Sequence, residues 1–206
     1  PKLDHTKQPR CGTRIGDFAV DLAYLEREGL FNGPLFSKLR EQGITIFGQP
    51  YLNEFMKLGR DYWVEARKTL QHIFSTSSPI IENMQIRNNA FVLVSDIILC
   101  LPAQIGDYTD FYSSRNHAYN VGCIIRGPDN AIQPNWNYLP VGYHGRSSSI
   151  NVTGHNVPRP RGQVKPPTSE APIFSTSERI DYELEVGAFI GGKLNEQGTP
   201  IKCSEA

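Results

Sequence analysis

The chain has 206 residues, 39% of them hydrophobic, and its 21 Lys and Arg balance its 21 Asp and Glu. That is apolar material for one large or two small cored domains, which excludes bulk disorder, and the absent net charge excludes a field that would gather nucleic acid or an anionic membrane. No apolar run approaches the roughly eighteen residues a bilayer crossing needs, and no basic start leads into an apolar signal segment.

Four cysteines at positions 11, 100, 123 and 203 are too widely spaced for a CxxC site or a disulfide scaffold, so a soluble protein in a reducing, cytoplasmic setting is expected. Asn151-Val152-Thr153 fits a glycosylation acceptor, which matters only after secretion. The chain opens at Pro1 and closes at Glu205-Ala206 just after an apparent strand and a Gly-rich turn, and both ends are expected to be cut.

In chain order, residues 12–25 alternate on either side of Gly16-Asp17, which predicts a small hairpin. Residues 51–74 set Leu52, Phe55, Met56, Tyr62, Trp63, Ala66, Leu70 and Phe74 at helical spacing, predicting an amphipathic helix kinked near Gly59. Its charges are mixed in sign, so it is expected to cover the first domain and not a membrane. The Ser and Thr run ending at Pro79 stops it. Residues 91–101, rich in β-branched groups, predict one or two strands or their connection, ended by Pro102. The composition then turns to Asp, Tyr, Ser, Asn, Arg and His, and a domain boundary is placed there, giving domains 1–102 and 103–206. A first domain that small needs support from the second or from a partner.

Residues 127–145 read as loops between short segments, and residues 148–153 as a strand. The proline-rich stretch 158–172, carrying Arg159, Arg161 and Lys165, predicts an extended ordered loop against helix, and leaves open a cover over the active site. From 179 to 190, Ile180, Tyr182, Leu184, Val186 and Ala188 alternate with Asp181, Glu183, Glu185 and Gly187. The pattern predicts a strand with one apolar face and one face of carboxylates.

Glu183 and Glu185, two apart on a strand, leave the same face about 7 Å apart, near enough to share one cation. A solvated strand face is the alternative. If the fold brings Asp110 to them, three carboxylates repel one another unless a cation neutralises them. Oxygen ligands suit Mg²⁺ or Ca²⁺, and neither Cys nor His spacing suits structural zinc. His117 follows Asp110 in a run dense in acids, aromatics and arginine, where imidazole can take a proton from water, or serve as a hydrogen-bonded structural histidine.

Arg126, after Cys123-Ile124-Ile125, is expected at a strand end where its guanidinium forks onto a carboxylate, with a surface arginine as the alternative. Tyr143 offers a hydroxyl to the same anion, His144 is read as structural or as part of that group, and Gly142 and Gly145 permit close backbone approach. The chain lacks a GxGxxG after a strand, a GxxxxGK loop, HExxH and GxSxG. Dinucleotide redox, nucleotide hydrolysis and serine-esterase chemistry are therefore excluded.

Residues 105–115 (Ile-Gly-Asp-Tyr-Thr-Asp-Phe-Tyr-Ser-Ser-Arg), His117, Asn120-Val121-Gly122, Pro134-Asn135-Trp136 and residues 139–146 (Leu-Pro-Val-Gly-Tyr-His-Gly-Arg) resemble the fumarylacetoacetate hydrolase family. The resemblance runs over essentially the whole chain and is strongest from 101 to 155. It implies a mainly β fold: a small N-terminal β-barrel domain with helices at 1–102, then a truncated start of a β-rich catalytic domain at 103–206. It also implies hydrolysis of a carbon–carbon bond in a diketo acid, giving fumarate and acetoacetate at the end of tyrosine and phenylalanine breakdown, by a cytoplasmic homodimer.

Carried onto this sequence, the family's metal ligands fall on Asp110, Glu183 and Glu185 and its general base on His117. Its substrate contacts fall on Tyr112, Arg126 and Tyr143. Family members continue well beyond this length, and the later part supplies a further acidic ligand, the acid that orients the histidine, and groups around the developing oxyanion. The chain is accordingly read as an N-terminal half, inactive alone. The alternatives are a related metal-dependent hydrolase or decarboxylase of another keto acid, and a non-catalytic truncated form that only dimerises.

Overall fold

In the computed structural model, which describes residues 8–78, 80, 82–192, 195 and 198–204, the alternation around Gly16-Asp17 forms the expected hairpin. Strand β1 (Gly12–Ile15) runs antiparallel to β2 (Phe18–Asp21). Gly16 takes φ 55°, a left-handed turn conformation that a side chain would resist. The alternation continues past Asp21, but the structure does not. The Asp21 carboxylate accepts from the Tyr24 N–H at 3.2 Å, capping helix α1 (Leu22–Arg27) and ending the strand.

Helix α2 (Pro34–Glu41) starts on a proline, which lacks an N–H the first turn could not use. Its next two N–H groups, at Leu35 and Phe36, donate to the carboxylate of Glu65, with Phe36 at 2.9 Å. The helix predicted over 51–74 is two helices, α3 (Asn53–Lys57) and α4 (Arg60–Ile73), parted at Gly59 with φ 85°. This break is the expected kink. Of the stop that follows, Pro79 lies outside the described residues, as do Pro1 and residues 205–206. Helix α5 (Met84–Ala90) is capped by the Asn83 side chain and leads into β3 (Phe91–Leu93), the second partner of β2.

These elements enclose one apolar cluster running from Cys11 to Ala90. Leu25, Val20 and Phe47 are its fully buried centre, and the rings of Phe31, Phe36 and Phe47 stack 4.7 to 5.8 Å apart. The Glu26 carboxylate accepts from the Ile46 and Phe47 N–H groups, both at 2.9 Å, so the loop carrying Phe47 enters the core with its backbone satisfied. Residues 1–102 and 152–206 form one compact unit. Its later part holds a hairpin of β6 (Arg161–Val164) and β7 (Ile173–Thr176). Residues 103–151 form a second compact unit.

The structure corrects the mainly β, barrel-based expectation: it is a mixed α/β fold, 35% helix and 13% strand. A barrel requires every strand to have two neighbours, but among the described residues the sheets have three, two and two strands and are open, with β1 and β3 each paired on one side only. The described strands are three or four residues long. Helix residues such as Leu25, Phe36, Leu39, Ala66, Ile73, Ile86 and Ala90 carry much of the buried apolar surface a barrel wall would have carried.

Three local expectations also change. Residues 148–153 hold no strand and instead follow a 3₁₀ turn at Ser147–Ser149. The loop at 158–172 contains β6, whose four residues lie between its prolines. Residues 179–190 alternate but form no strand: none of the pairings among the described strands includes them.

Candidate active site

The unit at 103–151 is organised by a short ladder and one helix. Strand β4 (Thr109–Phe111) pairs antiparallel with β5 (Gly142–His144), setting Asp110 directly opposite Tyr143. Opposed residues share a face, and the Tyr143 hydroxyl donates to Asp110 Oδ2 at 2.9 Å. This bond, with the negative charge behind it, pushes the phenol above its ordinary value of 10.0. Tyr143 therefore remains a protonated donor at neutral pH. Neither glycine of the ladder tolerates a side chain: a Cβ on Gly142 would sit 2.7 Å from the Asp110 carbonyl oxygen, and one on Gly145 would sit 2.0 Å from the Tyr108 ring.

Helix α6 (Arg115–Arg126) begins at Ser114, whose side chain accepts from the His117 N–H. His117 thus lies in the first turn of α6, half-buried. Its ring packs edge-on against Tyr112, centroids 5.5 Å apart and planes at 80°. Tyr112 is fixed from three sides. Its N–H donates to the Val141 carbonyl, its carbonyl accepts from Trp136 Nε1 at 2.7 Å, and its hydroxyl donates to the Ala118 carbonyl at 3.1 Å. The aromatic ring beside the imidazole is held by the backbone just before β5, by the Trp136 side chain and by α6 itself.

Arg126 is the last residue of α6 and not a strand end. Gly122 faces the turn that follows: a Cβ there would lie 2.0 Å from the Ala131 carbonyl oxygen. Arg126 closes that turn, with Nε donating to the Asn130 carbonyl at 3.1 Å and Nη2 to that of Ala131 at 2.7 Å. A guanidinium carries five N–H donors, so three remain for an anion.

Glu183 and Glu185 lie in the other compact unit, on the segment at 179–190, which forms no strand. Tyr182, Leu184 and Val186 around them are more than 90% exposed, so the alternation has no apolar face turned inward. The segment is anchored downstream, where the Gly192 N–H donates to the Met56 carbonyl and Gly191 lies against Trp63. Among the described residues no three His, Cys, Asp or Glu side chains gather around one point. The donor chemistry at Asp110 nevertheless suits a hard cation, since a half-buried carboxylate oriented by a phenol offers oxygen alone.

The structure thus joins Asp110 to Tyr143 and Tyr112 to His117. It gives Arg126 a structural bond besides any substrate contact. Sequence reasoning assigned no roles to Ser114, Gly122 or Trp136. Two of these had a signal: a serine three residues before His117 is a helix cap, and Ala118 with Gly122 four apart is a helical face of small residues.

Two family models match the chain. One, described as Fumarylacetoacetase N-terminal, covers residues 2–102, and the other, described as Fumarylacetoacetate (FAA) hydrolase C-terminal, covers residues 108–206. Curated relatives include the fumarylacetoacetases of Dictyostelium discoideum, 47% identical over 97% of this chain, and of Homo sapiens, 46% identical over 97%. That of Arabidopsis thaliana is 43% identical over the whole chain. The chain spans about half the length of these relatives, 46%, 46% and 48% respectively.

Proposed function

Because the chain belongs to the fumarylacetoacetase family of hydrolases, we propose that it is the N-terminal portion of an enzyme that hydrolyses the carbon–carbon bond of fumarylacetoacetate to fumarate and acetoacetate. The observation that carries the reading is the pairing of Asp110 with Tyr143 beside the packed Tyr112 and His117, all on residues matching the family's motif. The division at residue 102 into two domains, a homodimeric assembly and a cytoplasmic setting belong to the same proposal. Among the described residues no helix is long and apolar enough to cross a membrane.

The residues have separable tasks. His117, its ring braced by Tyr112, takes a proton from water as the water oxygen bonds to the substrate carbonyl carbon. The carbon–carbon bond then breaks, its electron pair stays with the acetoacetate carbon, and that carbon takes up the proton that His117 removed from water, which returns the imidazole to its neutral form. The three N–H groups of Arg126 not spent on Asn130 and Ala131 suit the substrate carboxylate, and the Tyr112 and Tyr143 hydroxyls, turned from the Ala118 carbonyl and from Asp110 on binding, fix its distance from the attacked carbon. Mg²⁺ or Ca²⁺ with Asp110 among its ligands would supply Lewis-acid polarisation of the diketo oxygens.

The test is turnover of fumarylacetoacetate by the parent polypeptide and by the 206-residue chain. The parent is expected to be active and to lose at least about a hundredfold in kcat on His117→Ala, the usual scale for a general base. The short chain is expected to be inactive. Substantial turnover by the short chain, or a parent indifferent to His117→Ala, sinks the reading.

A further inference from the structure

The β4–β5 ladder stops one bond short at the residue that packs against His117. The Gly145 N–H donates to the Tyr108 carbonyl at 2.9 Å and the Tyr112 N–H to the Val141 carbonyl at 2.8 Å, on either side of the Asp110–Tyr143 pair. These alternate positions make Tyr112 and Val141 a hydrogen-bonded pair, and the two residues of such a pair exchange both of their N–H···O bonds. Here one of the two is made. The Val141 N–H instead turns back across Pro140 to the Leu139 carbonyl at 2.9 Å, so the Tyr112 carbonyl receives no donor from across the ladder.

Trp136 takes that donor's place, with its Nε1 2.7 Å from the Tyr112 carbonyl oxygen. It stands half-buried in a 3₁₀ turn at Pro134–Asn137, and an indole N–H can only donate. The peptide it holds joins Tyr112 to Ser113. Ser114, the next residue, caps α6, and His117 lies in the first turn with its ring edge-on to that of Tyr112. The orientation of this one peptide therefore sets both where the Tyr112 ring stands and how the chain enters α6. When the Tyr112 hydroxyl leaves the Ala118 carbonyl for substrate, the two bonds on the Tyr112 backbone remain, and Trp136 makes one of them.

We propose that Trp136 is a positioning residue for His117: its indole N–H replaces the donor missing from the ladder and holds the Tyr112–Ser113 peptide in the orientation that presents the imidazole. Its effect on turnover rests on the reading of His117 as the general base, whereas the placement of the ring does not. Trp136 acts through Tyr112 and has no contact of its own with the reacting atoms in this assignment.

Trp136→Phe keeps an aromatic ring and removes the N–H. In proton NMR of the 206-residue chain, the His117 imidazole C–H signals are identified by their loss in His117→Ala. They are expected to move in Trp136→Phe toward the positions they take in Tyr112→Leu, which removes the neighbouring ring. His144, whose Nε2 lies 2.9 Å from Asp107 Oδ1 on the same ladder, is the folding control, and its signals should stay in place in Trp136→Phe. In the parent polypeptide, Trp136→Phe should lower kcat about tenfold, between the loss of one hydrogen bond and the displacement of a catalytic group. In a His117→Ala background the same substitution should cost no more than about twofold, since residues acting through one another are not additive.

A general loosening of the fold would move the His144 signals with those of His117 and would lower kcat equally in both backgrounds. Either result overturns the positioning role. So do His117 signals that stay in place, or an unchanged kcat in a parent that depends on His117. A parent indifferent to His117→Ala sinks the reading of His117 as the base, while displaced His117 signals in the short chain still uphold its placement by Trp136.

Discussion

Residues 11–90 and residues 103–151 hold their shapes by different means. The first region buries a contiguous apolar cluster with three aromatic rings at its centre. The second buries Ala103, Ala118, Gly122 and Ala131, and exposes Ile124, Ile125, Tyr138 and Leu139. Its geometry comes from hydrogen bonds at Asp110, Tyr112, Arg126 and His144 and from glycines at points of close contact. Apolar packing is strong and tolerant of direction, whereas hydrogen bonds are weak and directional. The region with the candidate chemistry is therefore the one whose positions are set most narrowly and whose folding is supported least by its own core.

The contrast breaks most readily at Leu25. It is fully buried in the first region, and Leu25→Ala removes its burial and leaves a cavity, an expected cost of about 3 kcal/mol. Urea unfolding followed by tryptophan fluorescence measures it. A loss under about 1 kcal/mol would mean that the first region does not depend on its packed core, and the distinction between the two would fail.

Gly122 sharpens the other side. In an open helix, Gly→Ala stabilises by up to about 1 kcal/mol. Here the new methyl carbon would stand 2.0 Å from the Ala131 carbonyl oxygen, and that oxygen is also the acceptor for Arg126 Nη2. Backbone must move, so overpacking, about 1 to 3 kcal/mol, outweighs the helix preference and the sign reverses. Amide exchange within α6 and at Ala131 should quicken in Gly122→Ala. Slower exchange would show that the close contact does not limit the second region.

The same contrast explains what could be read from the sequence. The hairpin at 12–21 and the helix broken at Gly59 were legible because local rules decide them: a turn dipeptide between alternating residues, and apolar spacing with a glycine at the break. The barrel expectation failed, since closure depends on pairing between distant strands and no local pattern decides it. The alternation at 179–190 had the period of a strand but joins no sheet among the described residues, and period alone cannot supply one. Within the candidate site, the residue types at 110, 112, 117, 126 and 143 were legible from motifs. The Asp110–Tyr143 register, the bracing of Tyr112 by Trp136 and the turn closed by Arg126 were not, because each spans a loop whose path no local pattern encodes.

The four cysteines give the mildest probe. Cys11 is buried, its Sγ directed at the Gln49 carbonyl 3.3 Å away. Burial pushes its thiol above the ordinary 9.0, and the charges of Glu26 and Asp21 push the same way. Cys100 and Cys203 are exposed, and Cys123, on α6 in the second region, is half-buried. Thiolate is the reactive form, so iodoacetamide should label Cys100 and Cys203 first, Cys123 next and Cys11 last. A raised folded value means that the folded chain keeps its Cys11 proton after the unfolded chain has released its own. The resulting stability is fully present below 9.0 and is lost as pH rises through the folded value. Above that ordinary value the wild type should lose unfolding free energy more steeply than Cys11→Ala, by at most about 1.4 kcal/mol per pH unit for a single proton. Labelling of Cys11 as fast as Cys123 would place the first region's edge on the same footing as the second, and would confine its tight packing to the aromatic centre.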